Sequence, residues 1–169
     1  MGFWDVIVGR HPPQPPRINC DLDISTLSLG GLALGAPPEA ILNLFGPPIN
    51  SRLVKKEGYW LYPSSGLAVG TKDQKINCFI IATRDPLSYD FKGYLKYFES
   101  FAGVVIFGNG IKQTASAIEA DFVLKQLGEP EVRDEDKEEL LLEYQREGWV
   151  GDFEFAKTGL LKCIQIGRY

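Results

Sequence analysis

The chain of 169 residues has one histidine, one methionine and three cysteines, and each scarcity excludes something. The single histidine, His11, sits in a proline-rich stretch where nothing holds it in a defined geometry. Ser–His and Cys–His nucleophiles and closed zinc sites of Cys and His therefore lack their parts. An odd number of cysteines makes no disulfide framework and fits a reducing cytoplasm. Cys78 and Cys163 stand inside the apolar runs INCFII and LKCIQI, and read as small buried hydrophobes. No apolar run approaches the roughly 20 residues that cross a bilayer, so no membrane association is expected. A basic excess is missing as well. The net charge of −4 and pI near 5.1 argue against a nucleic-acid partner, since such binders carry a basic face.

The first residues, MGFWDVIVGRHPPQPP, are apolar only briefly, and Asp5 interrupts them. They have no basic n-region or cleavage site, Val6 stands where myristoylation needs Ser or Thr, and RIN before Cys20 is no lipoprotein signal. Phe3, Trp4, Ile7 and Val8 lack the basic neighbours of an interfacial anchor. Residues 1–17 read as an N-terminal arm on a stiff linker, His11 to Pro16.

Two stretches further on end alike, ILNLFGPP at 41–48 and VLKQLGEP at 123–130. A shift of 82 residues brings Leu42 onto Leu124, Gly46 onto Gly128, Pro48 onto Pro130, Tyr62 onto Tyr144 and Gly66 onto Gly148. With an insertion of three residues Cys78 then meets Cys163. Gly and Pro have the backbone geometry hardest to replace, so their coincidence weighs most. Two copies of one unit is the economical explanation.

Each copy reads as a helix running into a meander. In the first, Pro37 or Pro38 opens a helix, Ile41, Leu42 and Phe45 give it an apolar face, and Gly46 ends it. In the second, Ser116 and Glu119 suit a capping box before Ile118, Phe122, Val123 and Leu127, and Gly128 repeats the stop. GYWLY, LAVG and KINCFIIA follow the first helix; ELLLEY, WVGDFEFA and LLKCIQIG follow the second. The segments DLDISTLSLGGLALG and YLKYFESFAGVVIFGNG ahead of the helices add a strand or short helix. The expected fold is α+β: two tandem repeats, 18–85 and 86–169, each a helical segment packed on an antiparallel sheet of about three or four strands, joined as one body.

The string L-G-x-P-x-x-A-I-x-x-L-F-G-x-P from Leu34, followed by YWLY, a GL turn and KINCFII, resembles the SmpA/OmlA-type module. Two such units in tandem are similar to the β-lactamase-inhibitory-protein-like arrangement, and the resemblance covers roughly residues 28–82 and 111–167. It implies helices laid on an antiparallel sheet, and a binding scaffold with no cofactor and no chemistry of its own. The outer-membrane relatives carry a signal sequence and a lipid-attachment Cys, so their location is not carried over.

The remaining chemistry is acidic. RDEDKEE places Asp134, Asp136 and Glu138 at alternate positions but lacks the Gly and final Glu of a calcium loop. GNG at 108–110 is a lone turn signal, not a dinucleotide fingerprint. From Glu129 to Glu143 there are eight acidic residues against Arg133 and Lys137, a net of −6. Such a run either keeps a sheet edge from pairing or steers a basic partner.

Strand alternation sorts the faces. Trp60, Tyr62, Leu142, Tyr144, Trp149, Phe153 and Phe155 turn toward the helices, while Tyr59, Leu61, Leu141, Glu143, Asp152 and Glu154 take the open side. Tyr59, Leu61, Asp134, Glu135, Asp136, Glu143, Asp152 and Glu154 are thus the candidate partner-binding residues, with no catalytic, cofactor or metal residue among them. The expected function is a cytoplasmic, non-enzymatic module, inhibitor-like or immunity-like, that binds a protein partner, a basic one matching the acidic run, through the open sheet face. Its rivals are a small-ligand carrier using the crevice between repeats, and a hydrolase using two converging carboxylates.

Overall fold

Pro38 opens the first helix and Gly46 closes it. Helix α1 (Glu39–Phe45) begins where the Ala40 and Ile41 amides reach the Pro37 and Pro38 carbonyls, both at 3.0 Å. Gly46 then takes φ 73°, and its amide returns to the Leu42 carbonyl at 2.9 Å. Helix α2 (Ala120–Leu127) ends in the same way, at Gly128 with φ 79° and an amide bond of 2.8 Å to Leu124. A left-handed φ is what a residue with a Cβ avoids, which is why glycine stands at both stops. The structure, a computed structural model, describes residues 17–49, 57–83 and 98–168. His11, the apolar residues Phe3, Trp4, Ile7 and Val8, and the 85/86 boundary between repeats lie outside the described residues.

Twelve strands are described: β1 (Leu22–Asp23), β2 (Ser28–Leu29), β3 (Leu32–Ala33), β4 (Gly58–Tyr62), β5 (Leu67–Lys72), β6 (Lys75–Ala82), β7 (Val104–Ile106), β8 (Lys112–Thr114), β9 (Val132–Glu135), β10 (Glu139–Arg146), β11 (Trp149–Ala156) and β12 (Leu161–Gly167). They form a five-stranded sheet ordered β3-β2-β1-β7-β8 and a seven-stranded sheet ordered β4-β5-β6-β12-β11-β10-β9. The protein is thus α+β with antiparallel sheets, apart from one parallel contact where Leu22 and Asp23 pair with Val105 and Ile106. The segments ahead of the helices supply the five-stranded sheet.

Three sequence expectations need correcting, and one strand was not anticipated. The two meanders do not keep separate sheets: Cys163 pairs with Ala82 and Gly167 with Cys78, so one continuous sheet carries both. Thr83 pins this seam, its amide reaching the Lys162 carbonyl at 2.8 Å and its hydroxyl donating to the Leu161 carbonyl. The Ser116–Glu119 capping box does not form. Glu119 is the N-cap with extended backbone and no side-chain cap bond, because Ser116 lies in a 3-10 turn and Glu119 is bridged to Leu160. Leu42 is 42% exposed, since Ile41 and Phe45 already face the core one turn apart. Finally β9, the polar stretch VRDE, is a strand because it pairs with β10, not because of its own pattern.

The core lies between the helices, the five-stranded sheet and the inner face of the seven-stranded sheet. Leu22, Leu29, Val105 and Phe107 meet Ile41, Phe45 and Val123 there, along with Tyr62, Phe79, Tyr144, Phe153 and Ile164. Each such side chain stabilises the fold by about 1.5–3 kcal/mol through burial. Both tyrosines are fully buried at the ring and reach back to the glycine ending the nearby helix. Tyr62 Oη donates to the Gly46 carbonyl at 2.8 Å, and Tyr144 Oη to the Gly128 carbonyl at 3.0 Å. Each bond uses a carbonyl that the helix end leaves without an internal partner.

Candidate functional site

The register of the seven-stranded sheet fixes what its outer face presents. One row runs Leu61, Ala68, Ile80, Gln165, Asp152, Glu143, Val132. A second runs Ala82, Cys163, Glu154, Leu141, Asp134. The face divides sharply. Toward β4 it is apolar and closed: Leu61, Ala68, Cys78, Ile80 and Cys163 form a second buried cluster, with Ile49 and Phe98 packed against it. Toward β9 it is acidic and half-open.

Leu61 is therefore corrected as a contact residue. It is 3% exposed, buried because Ile49 and Phe98 come from outside the strand to cover it, and its carbonyl accepts the Ile49 amide at 3.0 Å. Tyr59 is 41% exposed but stands on β4, at the opposite edge from β9. Six strand spacings separate the two edges, about 29 Å at the usual spacing. Tyr59 and the acidic residues consequently do not form one patch. The structure does bring Glu143, Asp152 and Glu154 together, with Asp134 at the rim of the same face. Glu135 takes the other side of β9 beside Arg133, its ion-pair partner at 3.2 Å.

Asp152 occupies the centre of this group, directly opposite Glu143 on β10 and Gln165 on β12. Burial first, then the charges of Glu143 and Glu154, raise its carboxyl above the ordinary aspartate value of 3.8. Like charges opposite each other across a ladder are destabilising. Its hydrogen bond within the sheet is a long one, 3.5 Å from Gln165 Nε2. The buried Gln165 Oε1 has no hydrogen-bond partner among the described residues. Burial, then Glu154 and Asp152, push the neighbouring Cys163 thiol up, which makes it a poor nucleophile. All three cysteines, Cys20, Cys78 and Cys163, are free thiols.

The carboxylates at the rim behave oppositely. The Glu138 and Glu139 amides, at 2.7 and 2.9 Å, hold Asp136 below its ordinary value. The Gln145 amide at 2.7 Å, followed by Arg146, does the same for Glu131. Arg146 also stacks over the Tyr144 ring at 5.1 Å and donates to the Leu127 and Glu129 carbonyls, so it is committed to holding the end of α2. Lys162 pairs with Glu139 at the β12 end of the face.

These contrasts give a pH prediction. A carboxyl raised by folding destabilises the native state above its folded pKa, and that penalty is gone below the unfolded value near 3.8. Asp152→Asn should therefore stabilise the protein at pH 7, by less than about 1 kcal/mol because the group is half-open. The gain should shrink as pH falls toward 4 and vanish below it. Asp136→Asn should do the reverse, losing stability at pH 7 that the wild type itself loses on acidification. Urea denaturation of both variants at several pH values tests this; a gain for Asp152→Asn that is independent of pH would defeat the assignment.

Sequence reading missed Gln165 and Lys162, and counted Arg133 only as a charge within the acidic run. The signal for Gln165 was available: a lone polar residue two positions after Cys163, in a strand otherwise apolar on that face. Among the described residues no group of Cys, His, Asp and Glu could hold a metal ion. No described helix is long and apolar enough to cross a membrane.

Two hollows lie beside the acidic half. One, of about 440 Å³, is lined by Gln145, Arg146, Trp149, Val150 and Arg168. The other, of about 340 Å³, is lined by Glu135, Asp136, Glu139, Lys137 and Lys157. Both belong wholly to residues 135–168, within the second of the two expected repeats. Glu143, Asp152 and Glu154 line neither, whereas Glu135, Asp136 and Glu139 all line the second.

A scan against protein-family models finds no match, and a search of curated proteins finds none either. Among solved structures the chain is similar to a DUF4309 family protein (YjgB) from Bacillus subtilis subsp. subtilis str. 168, at 13% identity over 83% of this chain and 84% of that one, with a TM-score of 0.48. It is also similar to an extracellular protein containing a SCP domain from Bacillus anthracis str. Ames, at 11% identity over 80% of this chain and 44% of that one, with a TM-score of 0.47.

Proposed function

We propose that this protein is a non-enzymatic protein-binding module, inhibitor-like in action, built of two tandem α+β units whose second unit offers an acidic sheet face to a basic partner. The repeat reading is supported by the matching stops at Gly46 and Gly128 and by the matching Tyr62 and Tyr144 bonds. The binding reading is carried by one observation: among the described residues, the charges that act on Asp152, those of Glu143 and Glu154, share its sign. The sheet keeps Glu143, Asp152 and Glu154 together against their repulsion. A lysine or arginine from a partner would relieve it. The three free thiols suit a reducing compartment, and a cytoplasmic location is part of the proposal.

Oligolysine is a sufficient probe of the charge complementarity. On titration, the side-chain carboxyl NMR signals of Glu143, Asp152 and Glu154 should shift, and the Asp152 pKa should fall. Replacing Asp134, Glu135 and Asp136 by Asn or Gln should slow association and flatten its salt dependence, since rim charges act mainly on encounter. Tyr59→Ala, at the far edge, should change neither. Carboxyl signals that stay fixed while oligolysine binds would place the basic partner elsewhere.

A further inference from the structure

Strand β9 ends the seven-stranded sheet, no described strand pairs with its far side, and all four of its residues are exposed. Its ladder with β10 fixes which main-chain groups are free. The Asp136 amide donates to the Glu139 carbonyl at 3.0 Å, and the register continues through Asp134 opposite Leu141 and Val132 opposite Glu143. Hydrogen-bonded and non-hydrogen-bonded pairs alternate along an antiparallel ladder. Asp134 and Val132 therefore turn their peptide groups to β10, while Arg133 and Glu135 turn theirs outward.

We propose that this free edge takes up an extended segment of the partner as an added strand, one with Lys or Arg at alternate positions. The inference deepens the binding reading above and rests on it, because it says how the basic partner is held. Charge selects the occupant. The run from Glu129 to Glu143 carries a net of −6, so a second copy of β9 would set Asp134 and Glu135 against their own kind. Alternation sets the spacing. On the outer side the added strand's side chains lie beside Val132, in the row that leads to Glu143 and Asp152, and beside Asp134, in the row that leads to Leu141 and Glu154. On the other side they meet Arg133 and Glu135, which already pair with each other. Cations are thus wanted at every second residue, with main-chain bonds supplying affinity and alternate side chains supplying specificity.

The test uses the full chain and a peptide of about ten residues alternating Lys and Thr, a typical strand's reach with a margin. Calorimetry should show binding, and amide exchange at Arg133 and Glu135 should slow. The same peptide N-methylated across its centre keeps its charge but loses main-chain donors, and should bind about tenfold more weakly or worse. Arg133→Pro removes an outward amide, a change edge strands tolerate, while making the segment more negative. Strand addition predicts weaker binding by this variant; attraction by charge alone predicts equal or tighter binding. If the variant does not fold, the methylated peptide decides. Methylated peptide binding within about twofold of the parent would overturn strand addition. The acidic-face reading would survive that result if Glu143→Gln and Asp152→Asn still weakened binding. Absence of any binding by the parent peptide would remove both. Dimerisation of the chain that Arg133→Pro abolishes would seat a second copy on the edge and overturn the basic occupant.

Discussion

Tyr62→Ala is expected to lower the unfolding free energy by about 3–5 kcal/mol, the range for removing a large buried aromatic. The ring is fully buried and meets Phe45 edge-on, with centroids 5.7 Å apart and planes at 64°. Truncation removes that contact, opens a cavity between α1 and the sheet, and strips the Gly46 carbonyl of its 2.8 Å donor. Domains are stable by only about 5–15 kcal/mol, so a single substitution would consume much of the margin. Tyr62→Phe separates the contributions: it keeps the ring and loses the hydroxyl, for about 1–2 kcal/mol. Tyr144→Ala should behave alike, since its ring meets Phe153 at 5.6 Å and its hydroxyl holds Gly128. Denaturant midpoints at unchanged m-value are the measurement. An unshifted midpoint for Tyr62→Ala would show that this face does not anchor the core.

Gly66→Ala should be comparably damaging for a different reason. Gly66 has φ 62°, and a Cβ there would lie 2.5 Å from both the Glu99 carbonyl oxygen and the Phe101 amide nitrogen, and 2.8 Å from the Ala82 carbonyl oxygen. All three are main-chain atoms that cannot swing aside, and the Phe101 amide is itself bonded to the Ala82 carbonyl at 2.7 Å. Gly148, its counterpart 82 residues on, has φ 83° but open space around it. Gly148→Ala should therefore cost only the left-handed penalty, about 1–2 kcal/mol. Gly66→Ala adds the crowding, for about 3 kcal/mol or more in total. Equal losses for the two variants would mean that the approach of residues 99–101 is not what requires glycine at 66.

How far the sequence could be read depended on the distance over which each feature is determined. The helix stops at Gly46 and Gly128, the strands GYWLY, KINCFIIA and WVGDFEFA, and the inward turn of Tyr62, Tyr144, Phe153 and Phe155 all follow from local pattern and backbone chemistry. Glu143, Asp152 and Glu154 were assigned to one face because a period of two needs only neighbours. Their pairing needed the hairpin register, which the two-residue turn Glu147–Gly148 sets by placing Arg146 opposite Trp149. Leu61 was misjudged because Ile49 and Phe98 bury it from outside the strand, and alternation carries no information about a cover. Strand β9 was invisible for a related reason: VRDE has no apolar pattern, and its extended form comes from the partner ladder. The acidic run was legible as charge and as the guard of a sheet edge; the sheet order shows that this edge is β9.

The seam between β6 and β12 bears on how the chain matures. Residues 161–167 sit in the middle of the seven-stranded sheet, between strands 75–82 and 149–156. During synthesis the first meander must wait for a stretch about 80 residues further on, and until then the edge of β6, with Phe79, Ile80 and Ile81, is bare. Contacts so distant along the chain are slow to form, and exposed apolar edges are where nascent chains go astray. Strand β12 thus closes the sheet from its centre, so the two halves acquire their final order together.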